Sequence, residues 1–276
     1  QLENLPMGVS GAVQALVGLC RRTRRSTGLN PGKWCLGRIH RQVGPELRML
    51  VSGGSPLNPD LAYFLEGLGW DVATGYGLTE TAGATHAGEH STFGPRLGTV
   101  GQPFRMIDCK IVDETGQEVP VGEEGELLVR GPIVMEGYHN LPEKTRGAFD
   151  DNGYFKTGDI ARRDEDNYYE IVDRAKDVIV TSGYNIYPSE VEDVLREHDA
   201  IADAAIIGVP DERRNEVPKA FVVPVSDVTP GEDVTSSEIK DFTLDTLAAY
   251  KHPRQIEFID ELPRTASGKV RKVELE

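Results

Sequence analysis

A strand–loop–helix–strand pattern over residues 47–77 constrains the fold of this chain more than any other feature. The apolar run LRMLVS predicts a short buried strand that leads directly into the tight turn GGSP. Asn58 or Asp60 can then cap a helix over residues 61–68, where apolar side chains recur at helical spacing. The segment WDVATGYG predicts a second strand that enters a glycine loop. This alternation indicates an α/β domain, with a further helix in residues 12–20.

A small β subdomain is predicted to follow from about residue 98. Its strand-like runs MIDCKIVD, GELLVRG and YYEIVDR are separated by Gly, Pro and acidic turns, and the last run ends near Asp173. We therefore expect residues 1–172 to be part of a large domain that contains both the α/β layer and the β subdomain. A charge-dense turn at 173–177 would form a hinge.

Residues 178–276 predict a small α+β lid domain. The pairs Ser189/Glu192 and Thr235/Glu238 have capping-box spacing, and each would open a helix. The strands expected in this domain are DVIVT (177–181) and residues 203–209, 219–225 and 255–259. The whole chain is thus assigned to the α/β class, with a mobile α+β domain at its carboxyl end.

Charge and cysteine content exclude several kinds of partner. The net charge of −15, from 45 acidic and 30 basic residues, repels the phosphates of nucleic acids and anionic membranes. No apolar run approaches the ~20 residues of an integral membrane span. The three cysteines form no CxxC pair, and the histidines lack metal-ligand spacing, so a structural zinc is not expected. Sparse cysteines favour a reducing compartment and therefore a cytoplasmic protein.

The amino-terminal sequence QLENLPMGVS has neither the basic n-region nor the apolar h-region of a signal peptide. It also lacks an initiator Met. We therefore expect the chain to be an excised piece of a longer protein.

The segment GYGLTET (75–81) has the residue types of a nucleotide site. Its glycines let the backbone approach a ligand, and Tyr76 offers a flat face on which a base can stack. Thr79 offers a hydroxyl for a phosphate oxygen. Glu80 offers a carboxylate for Mg²⁺, which usually binds phosphate and one or two protein carboxylates. Taken alone, the segment is explained more simply as a glycine turn with a capping threonine.

Three further segments carry polar groups on turns. GYFKTGD presents Asp159, whose carboxylate can accept hydrogen bonds from the two hydroxyls of a ribose. DRAKDVIVTSGYNIYP is dense in charge, and PRTASGK ends in Lys269, a compact cation that can reach a phosphate. Each has an ordinary structural explanation: a turn, a surface salt-bridge cluster and a tail lysine.

Taken together and in order, six segments resemble the adenylate-forming (AMP-binding) family of acyl-CoA synthetases, aryl-CoA ligases, luciferases and peptide-synthetase adenylation domains. They are SGGSPL, YGLTET, GELLVRGP, GYFKTGD, DRAKDVIVTSGYNIYPSEVE and PRTASGK, and the resemblance covers about residues 47–272. NIYPSEVE with PRTASGK is most similar to the fatty acyl-CoA synthetases. The resemblance implies activation of a medium- to long-chain fatty acid by ATP to acyl-AMP, followed by transfer to coenzyme A, with Mg²⁺ as the metal.

The resemblance also assigns roles to residues of the larger domain. Tyr76 would stack on adenine, Thr79 would contact the α-phosphate, and Glu80 would hold Mg²⁺. The residues on the adenine side would be Gly53, Gly54 and Ser55.

In the carboxyl-terminal part, the resemblance implies that Asp159 and Arg174 bind the ribose hydroxyls. Lys176 corresponds to the hinge about which the small domain rotates between the two half-reactions. Lys269 would be the adenylation lysine. The residues that flank the pantetheine tunnel would be Gly183 and Tyr184.

One family feature has no counterpart in this sequence, namely the upstream Ser/Thr/Gly-rich loop that ends in Lys and holds the β- and γ-phosphates. We therefore expect the chain alone to be inactive, and exposed sheet edges make a homodimer a candidate association. Three alternatives stay open: an aryl-CoA ligase, an acyl-AMP ligase that loads a carrier protein, and a non-catalytic scaffold module.

Overall fold

The computed structural model describes residues 7–54, 57–88, 98–265 and 268–275, with only the backbone for residues 7–10. The chain divides into two compact units. The first comprises Gln1–Thr157 and Ala161–Ile171, and the second comprises Gly158–Ile160 and Val172–Glu276. Among the described helices, none has the length and apolar character needed to cross a membrane. A hinge at 173–177 stays a prediction.

The first sheet of the first unit contains the predicted strand–helix–strand pattern. Asn58 caps the helix by accepting hydrogen bonds from the backbone N–H groups of Asp60 and Leu61, and Gly69 ends it in a left-handed conformation. The elements are α1 (Met7–Thr27), α2 (Pro31–Cys35), α3 (Gly37–Val43), β1 (Met49–Gly53), α4 (Pro59–Leu68), β2 (Asp71–Leu78), β3 (Gly83–Ala87) and β4 (Gln102–Pro103).

The strands of this sheet lie in the order β1-β2-β3-β4. β1 and β2 are parallel, and β3 and β4 continue the sheet in antiparallel fashion. α1 packs closely on α4, where a Cβ on Gly67 would lie 2.5 Å from Cγ1 of Val17. Val17, Leu68 and Trp70 form the apolar core beneath these helices. The parallel pair with its helix confirms the α/β layer.

The second sheet forms the predicted β subdomain. Its strands are β5 (Asp108–Val112), β6 (Gly125–Arg130), β7 (Phe155–Arg163) and β8 (Tyr169–Arg174), in that order, with α5 (Pro142–Gly147) between β6 and β7. Ile111, Leu127, Val129 and Tyr169 are almost fully buried in its core. Tyr76 of β2 packs against the same core, so the two sheets of this unit share an apolar interior.

The second unit is built on a mixed sheet of five strands. Its elements are β9 (Ile179–Thr181), β10 (Tyr184–Ile186), α6 (Pro188–Arg196), β11 (Ile201–Asp211), β12 (Asn215–Pro224), α7 (Ser236–Thr246) and β13 (Gln255–Phe258). The order is β10-β9-β12-β11, and β13 pairs with β12 in parallel. β11 and β12 form a long antiparallel hairpin. Fully buried side chains from both helices and the sheet fill the core, among them Leu195, Ile206, Val222 and Ile239.

One of the two predicted capping boxes is confirmed, and the other is wrong. Thr235 and Glu238 form the reciprocal box that opens α7. α6 instead begins at Pro188, because a proline at the first helical position presets φ and lacks an N–H that would need a partner. Ser189 is therefore inside the helix, and its hydroxyl donates to the backbone oxygen of Val172, 2.7 Å away.

Candidate functional site

Two glycine segments lie side by side at the carboxyl ends of the parallel strands β1 and β2. Gly53 is paired in register with Gly75, and a Cβ on Gly53 would lie 3.2 Å from the Gly75 oxygen. Gly54 continues with a φ of 86°, a conformation that favours glycine. Ligands of α/β sheets bind outside the carboxyl ends of such strands. Ser55 lies outside the described residues.

Tyr76 is held at this edge by its neighbours on β3. It pairs across the strands with His86, and the two rings meet edge to face with centroids 5.6 Å apart. The register shifts between Tyr76 and Gly77, which is a bulge of the kind found next to active sites. A Cβ on Gly77 would lie 2.0 Å from the Gly83 oxygen, so only glycine fits there. The tyrosine ring is thus fixed by a bulged strand pair.

His86 is fully buried behind Tyr76. Its Nδ1 lies 2.9 Å from Oγ1 of Thr85, and its Nε2 lies 3.6 Å from Sγ of Cys109. Burial lowers the pKa of His86 to about 4. Burial and the charge of Asp108 raise the pKa of Cys109 to about 12. Both groups are therefore neutral near pH 7 and serve as polar packing.

The buried imidazole predicts a loss of stability in acid. An unfolded histidine binds a proton below pH 6.5, while folded His86 does so only below about pH 4. Stability is therefore lost as the pH falls from about 6.5 to 4, by on the order of 3 kcal/mol. In urea unfolding of the 276-residue chain at pH 7 and pH 4.5, His86→Gln should lose less stability than the parent. His139→Gln, at an exposed position, should follow the parent. Equal losses for the parent and His86→Gln would contradict this origin of the acid sensitivity.

Glu80 lies in a 3₁₀ turn, Thr79–Thr81, directly after β2. Thr81 stabilises the turn, because its buried hydroxyl oxygen accepts from the Leu78 N–H at 2.9 Å. Thr79 is exposed, so its hydroxyl is accessible. The Glu80 carboxylate is half-buried, and its Oε1 accepts a hydrogen bond of 3.1 Å from the hydroxyl of Tyr138. Burial, followed by the hydrogen bond and charge of Glu80, raises the pKa of Tyr138, so this phenol stays protonated and donates.

The donor set at Glu80 fits Mg²⁺ held mainly by phosphate. Within the described residues, no cluster of three or more His, Cys, Asp or Glu could hold a metal ion. Mg²⁺ needs only one or two carboxylates when phosphate oxygens and water complete its octahedron. A single hydrogen-bonded carboxylate beside a glycine loop meets that requirement.

Asp159 and Arg174 form a direct ion pair in the second unit. The Asp159 side chain, on β7, is only 4% exposed, and its Oδ1 lies 2.8 Å from Nε of Arg174 at the end of β8. Gly158, with a φ of 71°, lets the strand turn just before this carboxylate. Arg174 itself is 46% exposed. The pair thus holds a charged carboxylate at a fixed position beside an accessible guanidinium.

The predicted hinge segment forms a short 3₁₀ turn, Ala175–Asp177. Lys176 projects into solvent with 72% of its side chain exposed, and its ammonium is 3.9 Å from Asp177. Asp173, two residues before this turn, accepts a hydrogen bond from the Ser189 N–H at 2.9 Å, and the same carboxylate oxygen lies 2.8 Å from the Ser189 hydroxyl. The predicted capping box assigned the Glu192 carboxylate as the acceptor for the Ser189 N–H. In the structure, the Asp173 carboxylate accepts that hydrogen bond instead.

Gly183 lies in the tight turn between β9 and β10. Ser182 and Gly183 have φ values of 51° and 84°, as in the two-residue turns that match the twist of a hairpin. The Ser182 N–H donates to the Arg214 oxygen at 2.8 Å, which attaches this turn to the β11–β12 connection. Tyr184 follows and stacks on Tyr250 with centroids 4.8 Å apart, yet stays 57% exposed. The turn and its aromatic pair are thus open to a ligand.

Lys269 lies on a small closed loop near the carboxyl end. The Thr265 N–H donates to the Lys269 oxygen at 2.8 Å, and Gly268 adopts a φ of 87° between them. Arg264 ties the loop to the rest of the unit by an ion pair with Asp203. The Lys269 side chain is exposed, and it makes no salt bridge with any residue that the structure describes. The backbones of Thr265 and Lys269 are thus held together by a hydrogen bond, while the Lys269 side chain is accessible.

The Lys269 loop and the Gly183 turn lie at opposite ends of the β11–β12 hairpin. The loop is attached at Asp203, near the start of β11, and the turn is attached at Arg214, just beyond the end of β11 at Asp211. The eight steps from Asp203 to Asp211 along β11 correspond to about 26 Å of strand. The Lys269 loop and the Gly183 turn are therefore attached at separate places on the second unit.

Sequence comparisons place both halves of the chain in one family. Residues 10–139 match the AMP-binding enzymes, and residues 190–269 match the AMP-binding enzyme C-terminal domain. Feruloyl-CoA synthase of an Amycolatopsis species is 41% identical over 229 residues, which are 83% of this chain and 46% of the relative. A long-chain-fatty-acid–CoA ligase of Bacillus subtilis is 40% identical over 227 residues, 81% of this chain and 39% of the relative.

A solved structure has the same fold. The o-succinylbenzoate coenzyme A synthetase (MenE) of Bacillus subtilis, in complex with ATP and magnesium ion, matches with a TM-score of 0.72 and 34% identity, over 86% of this chain and 49% of that one. The chain belongs to the AMP-binding, adenylate-forming enzyme family, and the relatives that it resembles are CoA ligases. It spans about half the length of these proteins, or less.

Two residues of the site were not predicted from the sequence. Tyr138 is 58 positions from Glu80, and nothing in the run EGYHN indicates its partner. His86 lies in a Gly- and Thr-rich stretch without the apolar alternation of a strand, although it is buried on β3. The one available signal was the position of His86 just after a glycine loop that already contained site residues.

Proposed function

We propose that the full-length protein is an ATP-dependent acyl-CoA synthetase that activates a medium- to long-chain fatty acid as acyl-AMP and transfers the acyl group to coenzyme A. The observation that carries this proposal is that the Lys269 loop and the Gly183 turn attach to the second unit near opposite ends of β11, about 26 Å of strand apart. A ligase with two half-reactions at one nucleotide requires two interchangeable surfaces. A simple nucleotide-binding module requires only one.

In the first half-reaction, the substrate carboxylate attacks the α-phosphorus of ATP and pyrophosphate leaves. Two anions must approach each other, so catalysis consists mainly of positioning and neutralisation of charge. Tyr76 supplies the stacking face for adenine, and Asp159 with Arg174 binds the ribose hydroxyls. The ammonium of Lys269 stabilises the charge that develops between the carboxylate and the α-phosphate.

In the second half-reaction, the coenzyme A thiol attacks the acyl carbonyl and AMP leaves. Gly183 has no side chain, so the turn leaves room for the narrow pantetheine arm to pass beside Tyr184. Lys176 lies in the proposed hinge that exchanges the two surfaces. In the first half-reaction, Glu80 would hold Mg²⁺, which would supply positive charge to the phosphates of ATP.

An aryl-CoA ligase is the second candidate, because feruloyl-CoA synthase is as similar to this chain as the fatty-acid ligase is.

The full-length protein should release pyrophosphate with one class of acid when fatty, aryl and dicarboxylic acids are compared, and coenzyme A should then yield a thioester. Preference for an aromatic acid would replace the fatty-acid assignment. Release of pyrophosphate with transfer only to a carrier protein would contradict the coenzyme A step, and no release with any acid would indicate a scaffold module.

A further inference from the structure

Residues 135–138 are joined to Glu80 by two hydrogen bonds of different kinds. The Met135 N–H donates to the backbone oxygen of Glu80 at 2.7 Å, which fixes the turn. The Tyr138 hydroxyl donates to Oε1 of the side chain at 3.1 Å, which fixes the carboxylate. A glutamate on a short turn would otherwise rotate among several orientations.

Tyr138 is itself held in place by α5. Its N–H donates to Oγ1 of Thr145 at 2.9 Å, and the ammonium of Lys144 lies 4.3 Å from the centroid of its ring. A Cβ on Gly137 would lie 2.6 Å from Cγ2 of Thr145, so the close approach of this loop to α5 favours glycine. The phenol is therefore a preorganised donor.

We propose that Tyr138 is a positioning residue for the cation at Glu80. Its hydroxyl donates to Oε1 and would hold the carboxylate in one orientation towards the cation. This inference rests on the proposed function, which makes Glu80 the Mg²⁺ ligand. Mg²⁺ demands near-ideal octahedral geometry, so a freely rotating carboxylate is a poorer ligand than a fixed one. Loss of an outer partner of a metal ligand typically costs about 10–100-fold in metal affinity.

The test replaces only the hydroxyl, with Tyr138→Phe in the full-length protein. Mn²⁺ serves as a paramagnetic substitute for Mg²⁺, and electron paramagnetic resonance measures its affinity in the presence of a non-hydrolysable ATP analogue. We expect a fall in Mn²⁺ affinity of about 10–100-fold. The Mg²⁺ concentration that half-saturates pyrophosphate release should rise in parallel, while the rate at saturating Mg²⁺ stays near that of the parent. A merely structural role would instead lower this rate without shifting the Mg²⁺ dependence.

Tyr154→Phe is the matched control, because the Tyr154 hydroxyl also donates to a carboxylate, Asp108, at 2.6 Å. It should leave Mn²⁺ affinity unchanged. Glu80→Gln separates the inference from the proposed function that underlies it. If Glu80→Gln weakens Mn²⁺ binding and Tyr138→Phe does not, the positioning role is wrong and the proposed function stands. If Glu80→Gln binds Mn²⁺ as tightly as the parent, the metal role of Glu80 fails, and the inference fails with it.

Discussion

Replacement of Lys269 by alanine in the full-length protein should slow adenylate formation by about 10²–10³-fold, because loss of one preorganised donor to developing charge typically costs that much. Thioester formation from pre-made acyl-adenylate should be nearly unchanged. The Gly183 turn, which is assigned to that second step, is attached about 26 Å further along β11 than the Lys269 loop is. Pyrophosphate release measures the first half-reaction. Synthetic acyl-adenylate with coenzyme A measures the second.

Lys272→Ala is the control for this experiment. Lys272 lies three residues further along the same tail, but its ammonium is engaged by Glu192 at 2.7 Å. Lys272→Ala should therefore change the rates of the two half-reactions by the same factor. Equal losses in both half-reactions for Lys269→Ala would mean that Lys269 supports folding or nucleotide binding generally, and the assignment of two surfaces would be wrong.

Asp159→Asn should weaken ATP binding by about 10²-fold. Hydrogen bonds to a charged group contribute about 1.5–3 kcal/mol each, and every 1.4 kcal/mol is tenfold in affinity. Asparagine preserves the shape of the buried side chain, and the half-exposed Arg174 can be solvated when its partner loses its charge. Calorimetric titration with ATP gives the affinity directly.

The ribose contact itself is tested with an ATP analogue that lacks both ribose hydroxyls. The parent should bind ATP more tightly than this analogue, and Asp159→Asn should bind the two almost equally. Asp150→Asn is the control, because Asp150 forms a comparable partly buried ion pair with Lys110 at 2.6 Å. It should keep the discrimination of the parent. If Asp159→Asn still discriminates as the parent does, Asp159 does not bind the ribose.

Much of the fold was readable from the sequence, because local signals determine it. The cap at Asn58, the box at Thr235 and the glycine turn after β1 each act within a few residues of the chain. Ser189 is the instructive failure. Its spacing from Glu192 satisfies the capping pattern, which would begin the helix at Glu190, but the helix begins two residues earlier, at Pro188.

The partners of the site residues were less predictable, since they depend on tertiary contacts. Arg174 and Asp159 were both assigned to ribose binding, and the structure adds that they pair with each other. The contact of Glu80 with Tyr138 joins the end of β2 to the segment before α5, and no local rule relates the two. The hinge at Lys176 and the adenylation role of Lys269 stay predictions, because they concern a change between two states.

The central claim is that the substrate carboxylate attacks the α-phosphorus of ATP. The most direct measurement follows the carboxylate oxygens, with an acid labelled with oxygen-18 and the full-length protein turning over in the presence of ATP, Mg²⁺ and coenzyme A. Attack at the α-phosphorus transfers one labelled oxygen to AMP when the thiol releases the acyl group. Mass spectrometry should therefore find one labelled oxygen in each AMP and none in pyrophosphate. Release of ADP with labelled inorganic phosphate would place the attack at the γ-phosphorus and contradict adenylate formation.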